Sequence, residues 1–337
     1  MIEQAFPDTL AILPSETYVF DQPADSDRLT TRVVASRRLA GGVTVSVVNL
    51  GLLGFDFAGS ALGGFKRLAH DGDGLIPDAV SQSRDAMLAL QANRLRLITF
   101  VTACVFGVYA ERNHTSLTRM LHPTLEDIYP FAVSADGMAL FPQTDLQRLT
   151  QWLAARGRQR RPPSIDIVSI EEGLALADRL VTASASYAEA DPVAMIAMTY
   201  QAMVLHGRQH AGASIALSAV VVEAAIEETM LGLGMVSGAP ARLTPAQPIV
   251  SPVMSRRRFK DLGFGGMIQA LADAKVLDAY LVTRIEALRT ARNALMHDVQ
   301  EPTPNTSGTA LTTMRDVLRL CTAEKGFELN TGYTYRE

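Results

Sequence analysis

The segment Arg289-Thr-Ala-Arg292-Asn293-Ala-Leu-Met-His297-Asp298 places two guanidiniums, an amide and an imidazole on about two and a half helical turns. Arg289, Asn293 and His297 follow one another at i, i+4 and i+8 and share one side of a helix; Arg292, three residues after Arg289, lies on the flank of that side. Fixed positive charge, an orienting amide and a titratable base together suit a phosphodiester. A guanidinium meets phosphate oxygens in a bidentate fork, and an imidazole exchanges protons near neutral pH.

The elements that must position these groups read as helices. Val276, Leu277, Tyr280, Leu281, Ile285, Leu288 and Leu295 recur with the 3.6-residue period, so the motif is expected late in an amphipathic helix running from Val276 to His297. Upstream, Ser169-Ile-Glu-Glu172 reads as a capping box opening a helix to about Tyr187. Asp191-Pro192 starts another, ending near His206. Ala211 to Leu233 is apolar on nearly every side, which predicts burial all round, in a core or against a partner subunit. Glu223 falls inside that run and is expected to be buried and paired with Arg292 or Arg289 as a supporting residue. Gly232, Gly234 and the Pro-rich segment Ala239 to Pro252 break this helix. A shorter one, Phe259 to Lys275, bends around Gly263, Gly265 and Gly266. Pro302 and Pro304 stop the motif helix, and Thr309 to Lys325 is the last helix.

The pair Arg292-Asn293 followed by three residues and His297 resembles the motif of HEPN domains, small helical bundles many of which are metal-independent ribonucleases. The resemblance covers roughly the last half of the chain. It implies attack of an RNA 2′-hydroxyl on its own phosphate, with His297 as general base or acid, Arg292 stabilising charge on the phosphorane and Asn293 orienting the imidazole or an RNA oxygen. Arg292 and His297 are about 140° apart on one ideal helix. In the family two motif helices pair across a homodimer, so the resemblance also implies a homodimer, no cofactor and no metal. Many proteins of this kind are toxins or phage-defence effectors, which would add an antitoxin or a defence-system partner.

Composition sets the outer bounds. At 337 residues, 48% hydrophobic and 20% charged, the chain is an ordinary globular one with room for two domains. A net charge of −4 gives no global basic field, so contact with RNA must be local. Cys104 and Cys321 lack metal-ligand spacing and read as buried free thiols. His206 and His210 stand at i, i+4, yet Gly207 and Gly212 argue for a turn between them, so no metal is assigned. The apolar run Leu97 to Tyr109 is too short to span a bilayer, and the N-terminus has no signal-peptide pattern; a cytoplasmic protein without a membrane contact is expected.

The first half mixes strand and helix signals. Thr17 to Phe20, Arg32 to Ser36 and Val43 to Val48 read as strands, and Gly51, Gly54, Gly59, Gly63 and Gly64 as a loop region. His70-Asp-Gly-Asp-Gly74 reads as a solvated turn. A long helix is expected from Pro77-Asp78 to Arg112, followed by a contiguous Glu111-Arg112-Asn113-His114. A hairpin turns at Ala135-Asp136-Gly137, and Gln143 to Arg156 reads as a helix carrying Trp152. Arg156, Arg158, Arg160 and Arg161, with Pro162-Pro163, make a linker that could also touch RNA phosphates. The expected organisation is therefore mainly α: an α+β domain over 1–155 in the place of a sensor, a linker over 156–163, a HEPN-like helical bundle over 164–326 and a tail over 327–337. Three functions stay open on these residues: an endoribonuclease, a non-catalytic RNA- or nucleotide-binding or assembly module, and a helical scaffold.

Overall fold

The computed structural model of the chain describes residues 9–12, 19–20, 32–49, 51–63, 77–117, 119–124, 128–130, 132–140, 164–245, 248–249 and 253–329. The expected solvated turn at His70–Gly74, the Trp152 helix and the basic linker lie outside them. The protein is mainly helical, with a small sheet in its N-terminal part. It divides into two compact units, Met1–Val105 with Met120–Asp178, and Phe106–Arg119 with Arg179–Glu337. Neither is contiguous in sequence, and the late division follows Asp178 rather than the Arg/Pro-rich segment.

The first unit is built on a five-stranded antiparallel sheet of order β3-β4-β5-β1-β6, from β1 (Thr9–Ile12), β3 (Val33–Arg38), β4 (Thr44–Val48), β5 (Leu52–Asp56) and β6 (Ile128–Pro130). β2 (Val19–Phe20) pairs in parallel with β9 (Ser164–Ile165), and β7 (Ala132–Val133) with β8 (Ala139–Leu140) forms the expected hairpin. Among the described residues four strands, β1, β5, β6 and β9, escaped the sequence reading. Residues 51–56 are not a loop: Gly51, at φ +88°, is the turn between β4 and β5, and Gly54 sits inside β5 opposite Ser46. Leu52, Leu53 and Phe55 are fully buried there with Val45, Val47 and Val48, so burial on both faces outweighs glycine's poor strand preference. Helix α1 (Pro77–Arg112) has the expected ends, and its residues from Phe106 on belong to the second unit. Helix α2 (Ile167–Ala183) is capped one turn before the expected box. Asp166 accepts the Ser169 amide and hydroxyl, both at 2.8 Å, which leaves Ser169 buried in the first turn.

In the second unit, α3 (Pro192–Gly207), α4 (Ala211–Gly232), α7 (Ala279–Asp298) and α8 (Pro304–Thr322) form the bundle, with the short α5 (Arg256–Asp261) and α6 (Gly263–Asp273) between α4 and α7. α4 packs against α3, α6, α7 and α8. Asp191 caps α3 as expected, accepting the Val193 amide at 3.0 Å. The bent helix is two helices separated at Gly263, φ +64°. The last helix begins five residues before its expected start. Thr303 caps it and Pro304 occupies its first turn, where a missing N–H costs nothing.

α4 is not buried all round. Ile215, Val221, Val222, Ile226 and Met230 are in the core, but Ala213, Val220 and Glu223 form an outward stripe. No helix of the described residues is long and apolar enough to cross a membrane.

Candidate functional site

α7 starts at Ala279, where Asp278 accepts the Leu281 amide at 2.7 Å. Leu281, Ile285 and Leu288 pin it to the bundle. Each such side chain contributes about 1.5–3 kcal/mol on burial, so three of them suffice to hold one helix face in place. Tyr280 belongs to the apolar period but is exposed, with the Arg284 guanidinium 4.7 Å from its ring centroid.

The stripe that buries α7 continues through Arg292, Leu295, Met296 and Val299, at roughly 100° per residue. Past Leu288 the described residues cover it only in part: Leu295 is half-buried, Arg292 is exposed, and Met296 and Val299 are 60% and 85% exposed. The last turns of the helix thus leave the bundle and carry the motif with them. Val299 ends the helix at φ +55°, a left-handed conformation that is strained for a β-branched residue. Two residues on, Glu301 accepts the Gly212 amide at 3.2 Å, tying this loop to the start of α4.

Arg289, Arg292 and His297 are all exposed, and Asn293 is half-buried. Arg289 donates to both carboxylate oxygens of Glu286, at 3.2 and 3.0 Å. Arg292 donates to the Asn293 side-chain oxygen at 3.4 Å. Among the described residues no ion pair engages Arg292 and no hydrogen bond engages the His297 imidazole. Five residues of helix separate these two groups by about 7.5 Å of rise and 140° of turn, so one copy does not aim both at one point. What this end offers is a cation, an amide and a base free to meet an incoming anion.

Glu223 plays no part in such a pair. It is exposed on the outward stripe of α4, and the expectation that it is buried against Arg292 or Arg289 is corrected. The buried carboxylate of α4 is Glu228, five residues later and wholly inaccessible. It accepts the amides of Ala188, Glu189 and Ala190, at 3.3 Å for the first and 2.9 Å for the last. Its second partner is Arg242, at 3.4 Å. Arg242 also donates to the carbonyls of Cys321 and Glu228, at 2.6 and 3.2 Å, and lies 3.6 Å from the Tyr187 ring centroid. The chain brings Arg242 there by folding back on Gly232, whose carbonyl accepts the amides of Arg242 and Leu243 at 2.8 Å. A Cβ at Gly232 would meet Leu243 at 3.0 Å. Burial pushes the Tyr187 phenol up, and pushes the Cys321 thiol up to about 11, so neither is a reactive nucleophile near neutral pH.

Two further histidines lie in the same helical unit. His206 is buried with Nδ1 3.0 Å from the Ser307 hydroxyl, whereas His210 is exposed beyond a turn containing Gln209 at φ +66°. They do not form a chelating pair, and the described residues hold no cluster of metal-ligating side chains. In the contiguous cluster, Glu111 pairs with Arg319 and the Asn113 side chain donates to the Tyr109 carbonyl at 2.9 Å. Both serve the fold of the second unit.

No protein-family model, no curated protein and no solved structure matches this chain.

Proposed function

We propose that the free end of α7 is the active site of a metal-independent endoribonuclease of HEPN type, assembled from two copies of the chain. The observation that carries this reading is the end of α7, which exposes Arg292 and His297, with Asn293 half-buried between them, beside an apolar stripe that the described residues leave largely open. A charged catalytic group must stay reachable, and an uncovered apolar stripe on a helix calls for a surface to bury it. A two-fold neighbour whose α7 crosses at this stripe would do both, bringing one copy's Arg292 toward the other's His297. His297 would then move the proton of the 2′-hydroxyl or of the leaving oxygen. Arg292 would stabilise the charge that builds on the phosphorane. A toxin or defence role belongs to this proposal as its biological setting.

The test is incubation of the purified protein with assorted RNAs in EDTA, followed by mapping of the cut ends. Cleavage leaving 2′,3′-cyclic phosphate and 5′-hydroxyl ends is expected. A requirement for divalent metal, or 5′-phosphate ends, overturns the mechanism. RNA binding without cleavage would leave a binding module in its place.

A further inference from the structure

Arg256-Arg257-Arg258 and Lys260 sit on the short helix α5, all exposed, around the buried Phe259 that anchors it. The four cations divide by side. Arg256 lies 3.6 Å from Glu189, and Lys260 faces Glu227, whose carboxyl burial and the neighbouring Glu189, Glu228 and Glu223 hold above its usual range. Arg257 points opposite Phe259, with Arg258 on the far side from Lys260. Among the described residues neither of their guanidiniums has an acid partner. α5 ends at Asp261, the chain turns through Leu262 and Gly263 into α6, and the first turn of α6 touches the motif helix. A Cβ on Gly265 would stand 3.2 Å from the Arg289 guanidinium. Eight residues of chain, with the break at Gly263 among them, therefore link Arg257 to the residue on which Arg289 lies. The acids along this path are Asp261, exposed on α5, and Glu286, taken up by Arg289.

We infer that Arg257 and Arg258 bind the phosphate backbone of a single-stranded RNA that runs across the first turn of α6 to Arg289 and Arg292. The inference rests on the ribonuclease reading of α7 and gives that site its substrate path. Free, unpaired guanidiniums on a protein of net charge −4 are a local electrostatic footprint, blind to sequence and sensitive to salt. The path also determines which substrates gain from it. An RNA long enough to reach from the motif to α5 binds more tightly, and a dinucleotide does not.

The experiment uses the His297→Ala protein, which holds RNA without cutting it, and a fluorescent single-stranded 20-nucleotide RNA, with affinity followed against salt. Adding Arg257→Ala and Arg258→Ala should weaken binding about tenfold at low salt and reduce the log–log salt slope by about 1.4, the release of two counterions from a single strand. Arg179→Ala removes a charge already engaged by Glu324 at 3.0 Å and should leave the slope unchanged. With His297 intact, the double variant should lose turnover on the long RNA and keep it on a dinucleotide. An unchanged slope in the double variant overturns this path while the ribonuclease reading stands. A parent protein that binds with the expected slope but never cleaves overturns the ribonuclease reading and keeps the surface. A parent that binds no RNA overturns both.

Discussion

Arg242 lies across the Tyr187 ring with a carboxylate and two carbonyls around it, whereas Arg292 ends in solvent beside one amide oxygen. Both side chains are in the same helical unit. Around Arg242 both terminal nitrogens donate to the protein, and its partner Glu228 accepts three backbone amides as well. Around Arg292 a neighbouring amide oxygen takes one donor and, among the described residues, no carboxylate pairs with it. The same guanidinium is a structural device where its hydrogen bonds close inward and a ligand-directed one where they stay open. Burial, rather than residue type, separates the two roles.

This contrast can be broken from either side. The largest expected effect is on the closed cluster. Glu228→Ala takes from Arg242 its carboxylate partner and from three amides of the 188–190 turn their acceptor, and should lower stability by about 3–5 kcal/mol, read as a fall in the urea midpoint. A loss under ~1 kcal/mol would mean that the cluster is not what holds the 188–190 turn. On the open cluster the expected loss is in rate. Arg292→Ala and His297→Ala should each reduce RNA cleavage on the order of 100- to 1,000-fold with an unchanged urea midpoint. Arg292→Lys should also fail, because an ammonium cannot reproduce the bidentate fork. Parent-like cleavage by His297→Ala would remove this histidine from the site.

Smaller effects sharpen the comparison. Val299→Gly relieves a left-handed β-branched residue and should raise stability by about 1 kcal/mol. If the exposed lip also docks a second copy, light scattering should show weaker dimerisation at the same time. His206, buried between α3 and α8, supplies a pH effect of fixed sign. Burial holds its imidazole below the usual value, so the folded protein resists a proton that the unfolded chain accepts. Stability should be fully present above about pH 6.5, the unfolded value, and fall as pH drops from there toward the folded value. His206→Asn should flatten that decline in urea titrations run at successive pH. The smallest change is expected for Glu223→Ala, within about 0.5 kcal/mol, as for an exposed residue without special contacts.

The sequence-level reading succeeds where a signal is local. Asp191-Pro192 starts α3, the ends of α1 fall at Pro77 and Arg112, and the 3.6-residue period of α7 is plain. It fails where the fold overrides local chemistry. Gly51 and Gly54 suggest a loop, yet strand pairing on both sides buries β5. An apolar neighbourhood on α4 suggests a buried Glu223. However, burial follows the helix face, and Glu228, five positions on, takes the inward place. Arg242 could not be assigned as its partner, because the contact depends on a chain reversal at Gly232. The run Arg256-Arg257-Arg258 stands in the sequence but drew no reading there, because its value lies in the approach of Gly265 to Arg289, which no pattern announces.

The second unit draws a short piece from far upstream. Residues 106–119 contribute Glu111 to Arg319, the Gly107 carbonyl to the Glu328 amide at 2.8 Å, and a close seat for Phe327 beneath Gly107. During synthesis that piece leaves the ribosome long before its partners exist. At about 5–20 residues per second, roughly 10–40 s pass between residue 119 and residue 329. A fragment cut at the Arg/Pro-rich segment would lack it and leave Arg319 and Phe327 without their counterparts. In the traffic of genes, this helical unit could not be shuffled between proteins as one contiguous cassette; it travels with the strands that interrupt it.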